Sequence, residues 1–227
     1  MIIALYHKIF KFSSSYMSEN VRFFAENVLI LNDFRIDVLS NVWYFTMDKA
    51  SESDLKMRMR KKPNLQPRME KCAAVQIAEP AALRGKWRES FPGKSLWLEI
   101  GCGKGQFTVG TAKENPEAEL IALERVEDAM VIAMERACAE ETDNVRFISM
   151  DALKLREVFA PGEVERVFVN FCDPWPKSRD AKHRLTSPNF LRIYADILPM
   201  GGEVCFKTDN LPLFTWSLEQ IKAEGWE

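Results

Sequence analysis

Residues Glu99 to Gln106, Glu-Ile-Gly-Cys-Gly-Lys-Gly-Gln, set Gly101, Gly103 and Gly105 in a Gly-x-Gly-x-Gly loop directly after an apolar run. Glycine suits a tight turn where a ligand must approach the backbone closely, because any Cβ is an obstacle there. A dinucleotide fingerprint asks for glycine where this chain has Gln106. A glycine loop alone is a weak signal, and the acids that follow strengthen it. Glu124 ends the next apolar run, where a carboxylate can accept hydrogen bonds from both hydroxyls of a ribose. Asp151 follows the third run, in Ser-Met-Asp-Ala, where a carboxylate can accept from the exocyclic amine of a base. Each acid alone reads more readily as a surface group or a helix N-cap. Together with Glu99 they describe a pocket for an adenosine that carries no phosphates.

Such a pocket points to S-adenosylmethionine rather than NAD. After a fourth apolar run comes Asn170-Phe-Cys-Asp-Pro-Trp-Pro-Lys177. Two prolines flanking a tryptophan make a stiff loop, so Asp173 before them and Lys177 after them are held at defined positions. A lone Trp is most often a core anchor, but packing alone does not account for Pro-Trp-Pro beside Asp173. The segment that follows carries Lys177, Arg179, Lys182, His183 and Arg184 against Asp180, a basic patch next to the expected pocket. An earlier one carries Arg58, Arg60, Lys61, Lys62, Arg68 and Lys71 against Glu70. A charge run of this kind reads equally as a solvated terminus or as an arm that orders on phosphate.

These patches sit on a balanced chain of 227 residues, with 31 Lys and Arg against 33 Asp and Glu and a net charge of -2. Nucleic-acid binding by bulk charge is thereby excluded, and only a local site remains. The five cysteines, Cys72, Cys102, Cys138, Cys172 and Cys205, form no Cys-x-x-Cys pair and are odd in number. Neither a zinc site nor a disulfide framework is readable, no metal is expected, and a reducing cytosol fits best. No long uncharged apolar stretch and no secretory signal is present, so a cytoplasmic protein with no membrane span is expected.

The elements that must position these residues alternate. Strands are expected at Ser95–Ile100, Glu119–Leu123, Val145–Ser149, Arg166–Phe171 and Glu203–Lys207, and helices at Gln106–Glu114, Glu127–Glu140, Leu153–Phe159, Pro188–Leu198 and Leu211–Glu224. Alternation of this kind predicts an α/β Rossmann-like fold, a mostly parallel sheet with helices on both faces and ligands at the carboxyl ends of the strands. The domain spans residues 94–227, preceded by a basic arm and lead-in helix over 57–93. Residues 1–56 differ in character, since all 10 glycines and all 11 prolines lie at or beyond Pro63. That segment reads as an amphipathic extension, with Asn27 to Leu31 able to form a helix or strand, or as sequence upstream of a start at Met57. In neither case is it expected to contribute to the site, and its deletion is expected to leave the fold unchanged.

The chain resembles the bacterial tRNA (guanine-N7-)-methyltransferase family, within the class I S-adenosylmethionine-dependent methyltransferases. The pieces that carry the resemblance are Met57–Pro63, Leu98–Phe107, Ala122–Glu124, Asp151-Ala, Asn170–Lys177, Arg184-Leu-Thr186 and Phe206-Lys-Thr-Asp209. Asp-Pro-Trp-Pro-Lys is the specific one. The resemblance implies cofactor contacts from Glu99, Gly101, Gly103, Glu124, Asp151 and Asp173, with Asp173 catalytic. It also implies tRNA contacts from Lys177, Arg179, Asp180, Ala181, Lys182, His183, Arg184 and Asp209. Asp180 departs from the family, which usually has histidine there. The family continues for two strands and a Thr-x-Tyr-Glu type segment beyond the equivalent of Glu227, so an open sheet edge is expected.

Guanine N7 has a free lone pair, so methyl transfer to it needs positioning rather than a base. Two other readings compete: a nucleic-acid amino-methyltransferase, since Asn170 and Asp173-Pro-Trp-Pro loosely resemble an Asp/Asn-Pro-Pro-Tyr loop, and a non-catalytic RNA-binding relative. The sequence leaves monomer and homodimer equally open.

Overall fold

The apolar runs at 95–100, 118–123, 145–148, 166–169 and 203–206 each send successive side chains to opposite faces and so feed two cores. In the computed structural model, which describes residues 2–7 and 61–226, strands β1 (Ile2–His7), β2 (Ser95–Ile100), β3 (Ala118–Glu124), β4 (Val145–Ser149), β5 (Arg166–Asn170) and β6 (Glu203–Thr208) form one sheet in the order β1-β6-β5-β2-β3-β4. Every pairing is parallel.

Ile148, Leu123, Ile100, Val169 and Phe206 lie side by side across the sheet, and all five enter one core. Ala122 and Phe168 flank Glu99 in the row before and enter the other core. The first core is covered by α2 (Trp87–Ser90), α5 (Leu155–Val158), α6 (Pro188–Ile197) and α7 (Leu211–Ala223). The second is covered by α1 (Leu65–Lys71), α3 (Gln106–Glu114) and α4 (Glu127–Ala139). Fully burying one such apolar side chain contributes roughly 1.5–3 kcal/mol, so the row of five specifies the register strongly.

The lead-in to the sheet is fastened at Trp87, which is fully buried, donates its indole N–H to the Val158 carbonyl at 2.9 Å and stacks on Phe159 at 4.9 Å. The buried carboxylate of Glu163 accepts from the backbone N–H groups of Gly85 and Trp87 on that same segment. In the arm, Arg68 makes a two-bond fork to Glu135 of α4, both at 2.6 Å, so this cation is engaged within the fold. Lys61 and Lys71 are exposed, and Met57 to Arg60 lie outside the described residues.

The expected strands and helices appear with ends shifted by a residue or so, with one exception. Leu153–Phe159 is a 3-10 turn over Ala152–Lys154 followed by the short α5, because the Asp151 side chain accepts from the Leu153 N–H at 2.9 Å and tightens that turn. The beginning of the chain differs from expectation. Ile2–His7 pairs with β6 over six residues, from Ile2 opposite Glu203 to His7 opposite Thr208, so part of the segment read as an extension occupies the edge of β6 that was expected to be open. Asn27 to Leu31 lies outside the described residues.

Candidate active site

The sheet reverses direction of winding at β2, which pairs with β3 on one side and β5 on the other. Helices therefore leave on opposite faces there and a crevice opens at the carboxyl ends. One residue beyond the buried row, the strands present Ser149, Glu124, Gly101, Asn170 and Lys207 along this rim.

The glycine loop runs from β2 into α3. Gly101 and Gly103 have φ of 77° and 56°, and a Cβ on either would meet nothing within 4 Å, so the loop is an open cradle on that side. Gly105 is required for a different reason. At φ 74° it caps α3, and a Cβ there would sit 2.6 Å from Cβ of Ala133 on α4. The loop is pinned to β3 by the Gly101 and Cys102 N–H groups, which donate to the Leu123 carbonyl at 2.8 and 3.1 Å. It is pinned again by the Gly103 N–H, which donates to Glu124 Oε2 at 2.9 Å.

Glu124 also accepts from the Val126 N–H at 2.9 Å, and a carboxylate has about four acceptor positions, so these two bonds fill about half of its capacity. Asp151 is the N-cap described above, and its other oxygen lies 4.0 Å from the Arg125 guanidinium. Its capping and ligand-binding readings are thus compatible.

Glu99 is buried, 2% exposed, and accepts from the Thr108 hydroxyl at 2.5 Å and the Asn170 amide at 3.4 Å. It therefore ties the ends of β2 and β5 to the first turn of α3. Burial pushes its carboxyl up from 4.5 to about 7, against the opposing pull of those two hydrogen bonds. A carboxyl raised in this way holds its proton longer folded than unfolded. Its contribution favours folding at low pH and is lost as pH rises from about 4.5 to about 7. The melting temperature is expected to fall over that window, and Glu99→Gln, which keeps the shape without the charge, is expected to remove up to roughly 3 kcal/mol of that dependence. Parallel pH profiles of the wild type and variant check this; identical slopes contradict it.

The Pro-Trp-Pro loop leaves β5 in an unusual conformation, with Phe171 and Trp175 at φ of 49° and 43°. Large side chains adopt this region only where surroundings enforce it. The Phe171 N–H donates to the Lys207 carbonyl at 2.7 Å, and the Lys207 ammonium lies over the Phe171 ring, 5.5 Å from its centroid. Arg184 donates from Nε to the Pro174 carbonyl at 3.0 Å and from Nη2 to the Trp175 carbonyl at 2.9 Å. Asp173 is exposed on this braced loop. Burial, and then the charge of Asp173, push the neighbouring Cys172 thiol up to about 12, which leaves that thiol inert as a nucleophile at neutral pH.

Lys177, just before a 3-10 segment over Ser178–His183, and Arg179, Lys182 and His183 on it are exposed, with the His183 ring 5.2 Å from that of Trp175. Asp180 and Ala181 are half-buried on the same segment, and Asp180 lies 3.9 Å from Arg179. Asp209 is exposed past β6, next to Asn210, which caps α7 through its hydrogen bond from the Leu213 N–H at 2.8 Å. Among the described residues no group of three or more His, Cys, Asp or Glu is arranged to hold a metal ion, and no helix is long and apolar enough to cross a membrane.

Residues 93–226 match the protein family described as "Putative methyltransferase". The tRNA (guanine-N(7)-)-methyltransferase of Listeria innocua is 45% identical over 163 residues, 71% of this chain and 76% of the relative. The enzyme of that name from Bacillus subtilis is 42% identical over 170 residues, 74% of this chain and 80% of the relative. The chain belongs to the tRNA (guanine-N(7)-)-methyltransferase family. Among solved structures, a precorrin-6y C5,15-methyltransferase of Geobacter metallireducens aligns with a TM-score of 0.47 and 14% identity, covering 74% of this chain and 77% of that one.

In this member of the family, three site features escaped the reading of the sequence. Thr108 and Asn170 act on Glu99, and Trp216 of α7 lies under Arg184, its ring centroid 4.3 Å from the guanidinium carbon. A polar residue closing an apolar strand was a usable signal for Asn170. None existed for Trp216, which reads as one more apolar position of an amphipathic helix.

Proposed function

We propose that the chain methylates N7 of the variable-loop guanine of tRNA, using S-adenosylmethionine, in the cytoplasm. The observation that carries this reading is the braced Asp173-Pro-Trp-Pro-Lys177 loop at the switch point of the sheet, beside the glycine cradle, in a chain of this family.

The residues present fit the cofactor. Glu99, Glu124 and Asp151 place acidic groups around the crevice, a poor setting for a pyrophosphate and a good one for an adenosine and a cationic amino-acid tail. Glu124 takes the ribose hydroxyls, Asp151 the adenine amine, and the cradle of Gly101 and Gly103 admits the ligand against the backbone, with Glu99 holding the cradle in place. When bound, the cofactor supplies an electrophilic methyl group.

N7 attacks with its own lone pair, so the protein's work is alignment and charge stabilisation. Asp173 accepts from guanine N1 and N2 and faces the positive charge that grows on the purine. No proton leaves N7, so Asp173 orients and stabilises and does not act as a base. Lys177, Arg179, Lys182 and His183 contact phosphates and Asp209, just past β6, contacts the tRNA, while Asp180 and Ala181 shape the 3-10 turn that presents the cations.

Replacing Glu124 by alanine is expected to remove the ribose contact together with the anchor of the Gly103 N–H, and so to weaken cofactor binding by about 1.5–3 kcal/mol. Calorimetric titration measures it, and equal affinities contradict the assignment. The function itself is tested by transfer of labelled methyl from S-adenosylmethionine to tRNA transcripts that differ only at the variable-loop guanine. Incorporation only where guanine is present is expected. Labelling of both transcripts points to the amino-methyltransferase alternative, and tRNA binding with no cofactor binding points to a non-catalytic relative.

A further inference from the structure

Arg184 lies at the end of the basic segment, yet its guanidinium turns inward. Its Nε lies 3.0 Å from the Pro174 carbonyl and 3.3 Å from that of Trp175, its Nη2 lies 2.9 Å from the latter, and its carbon sits 4.3 Å from the centroid of the Trp216 ring. The fork and the stacking surface together fix both the position and the plane of the guanidinium. The backing is anchored too. Thr186 and Ser217 share a buried hydrogen bond of 2.6 Å, and Ser217 donates to the Leu213 carbonyl at 2.7 Å, which ties the segment after Arg184 to α7. By contrast, Lys177, Arg179, Lys182 and His183 are exposed.

We propose that Arg184 is a positioning residue: it locks the two carbonyls that follow Asp173, holds Trp175 in its left-handed conformation, and thereby sets the Asp173 carboxylate for the base, taking no part in phosphate contact. This rests on the methyltransferase reading above. The carbonyl oxygens of the consecutive residues Pro174 and Trp175 need a planar fork, whereas a phosphate accepts any point charge. Arg184→Lys therefore separates the two roles.

The experiment compares Arg184→Lys, Arg184→Gln and Arg179→Gln with the wild type in three measurements. These are the single-turnover methyl-transfer rate at saturating tRNA, the salt dependence of tRNA binding, and amide exchange of the 171–178 segment in the protein without RNA. Both Arg184 variants are expected to lose about 100-fold in rate, the scale of a misplacement near 1 Å. Their salt slope should stay at the wild-type value and exchange in the loop should be faster. Arg179→Gln should show the reverse pattern in binding and loop order, with a flatter slope and unchanged exchange. A Lys variant with wild-type rate and loop protection, or a Gln variant with a flattened slope, overturns the proposal.

Should the Gln variant fail to fold, Trp216→Leu, which removes the stacking surface and leaves the fork, is expected to slow transfer about tenfold with no change in slope. An unchanged rate there also counts against the proposal. If the wild type transfers no methyl group to tRNA, the functional reading fails by itself, while the exchange measurement still decides whether Arg184 holds the loop.

Discussion

Asp173→Ala is expected to reduce the single-turnover rate of methyl transfer by about 100-fold or more, the usual cost of removing one preorganised group at a site of developing charge. Affinity for tRNA should barely change, because one exposed carboxylate contributes little to a phosphate-dominated interface. The loop should also survive, since its braces are backbone carbonyls held by Arg184 rather than the Asp173 side chain. Asp173→Asn keeps the shape and part of the hydrogen bonding and should recover some of the rate. Rate and binding measured on the same preparations separate the outcomes. A fall in tRNA affinity that matches the fall in rate places Asp173 in binding and contradicts its assigned role.

Neutralising Lys177, Arg179 and Lys182 together should fail in the opposite manner. All three are exposed on one short segment beside the crevice, and each phosphate contact adds about 0.7–0.9 to the slope of log affinity against log salt. The triple variant is expected to bind tRNA more weakly and with a slope shallower by about 2. Its transfer rate at saturating RNA should stay close to that of the wild type. An unaltered slope means that these cations are merely solvated. Arg184 is left out of this set although it belongs to the same basic run, because its guanidinium is engaged with the loop.

Arg184 also marks where the sequence stopped being legible. Its type and neighbours made it one more cation of a patch. Only the fold shows that α7, which carries Trp216, passes beneath it, a long-range contact that no local pattern encodes. The parallel sheet from β2 to β6 was readable because each of those strands is a short apolar run bounded by turn residues, with inner positions shared between two cores, as in Val167 and Val169 against Phe168. The glycine loop and the acids at successive strand ends were readable for the same reason, since the end of an apolar run fixes where the chain reaches the rim.

Glu99 was readable at the end of its strand, but its hydrogen-bond partners Thr108 and Asn170 arrive from a helix and from the neighbouring strand β5. Asp151 caps a turn through one oxygen and has the other 4.0 Å from the Arg125 guanidinium, partners that an acid after an apolar run does not announce. Ile2–His7 was the least legible part, because strand composition does not say which edge a strand will join. Its six-residue pairing with β6 follows from an edge whose backbone groups were otherwise unpaired.

The identity of the methylated atom is the most direct test of N7 transfer. Transcripts carrying the variable-loop guanine, methylated with labelled cofactor, are digested to nucleosides and in parallel treated with the reduction and strand-scission chemistry that acts on 7-methylguanosine. Label in 7-methylguanosine, with scission at the variable-loop position alone, is the predicted result. Label in an exocyclic-amine product, whether of adenine or guanine, with no scission at that position, contradicts it.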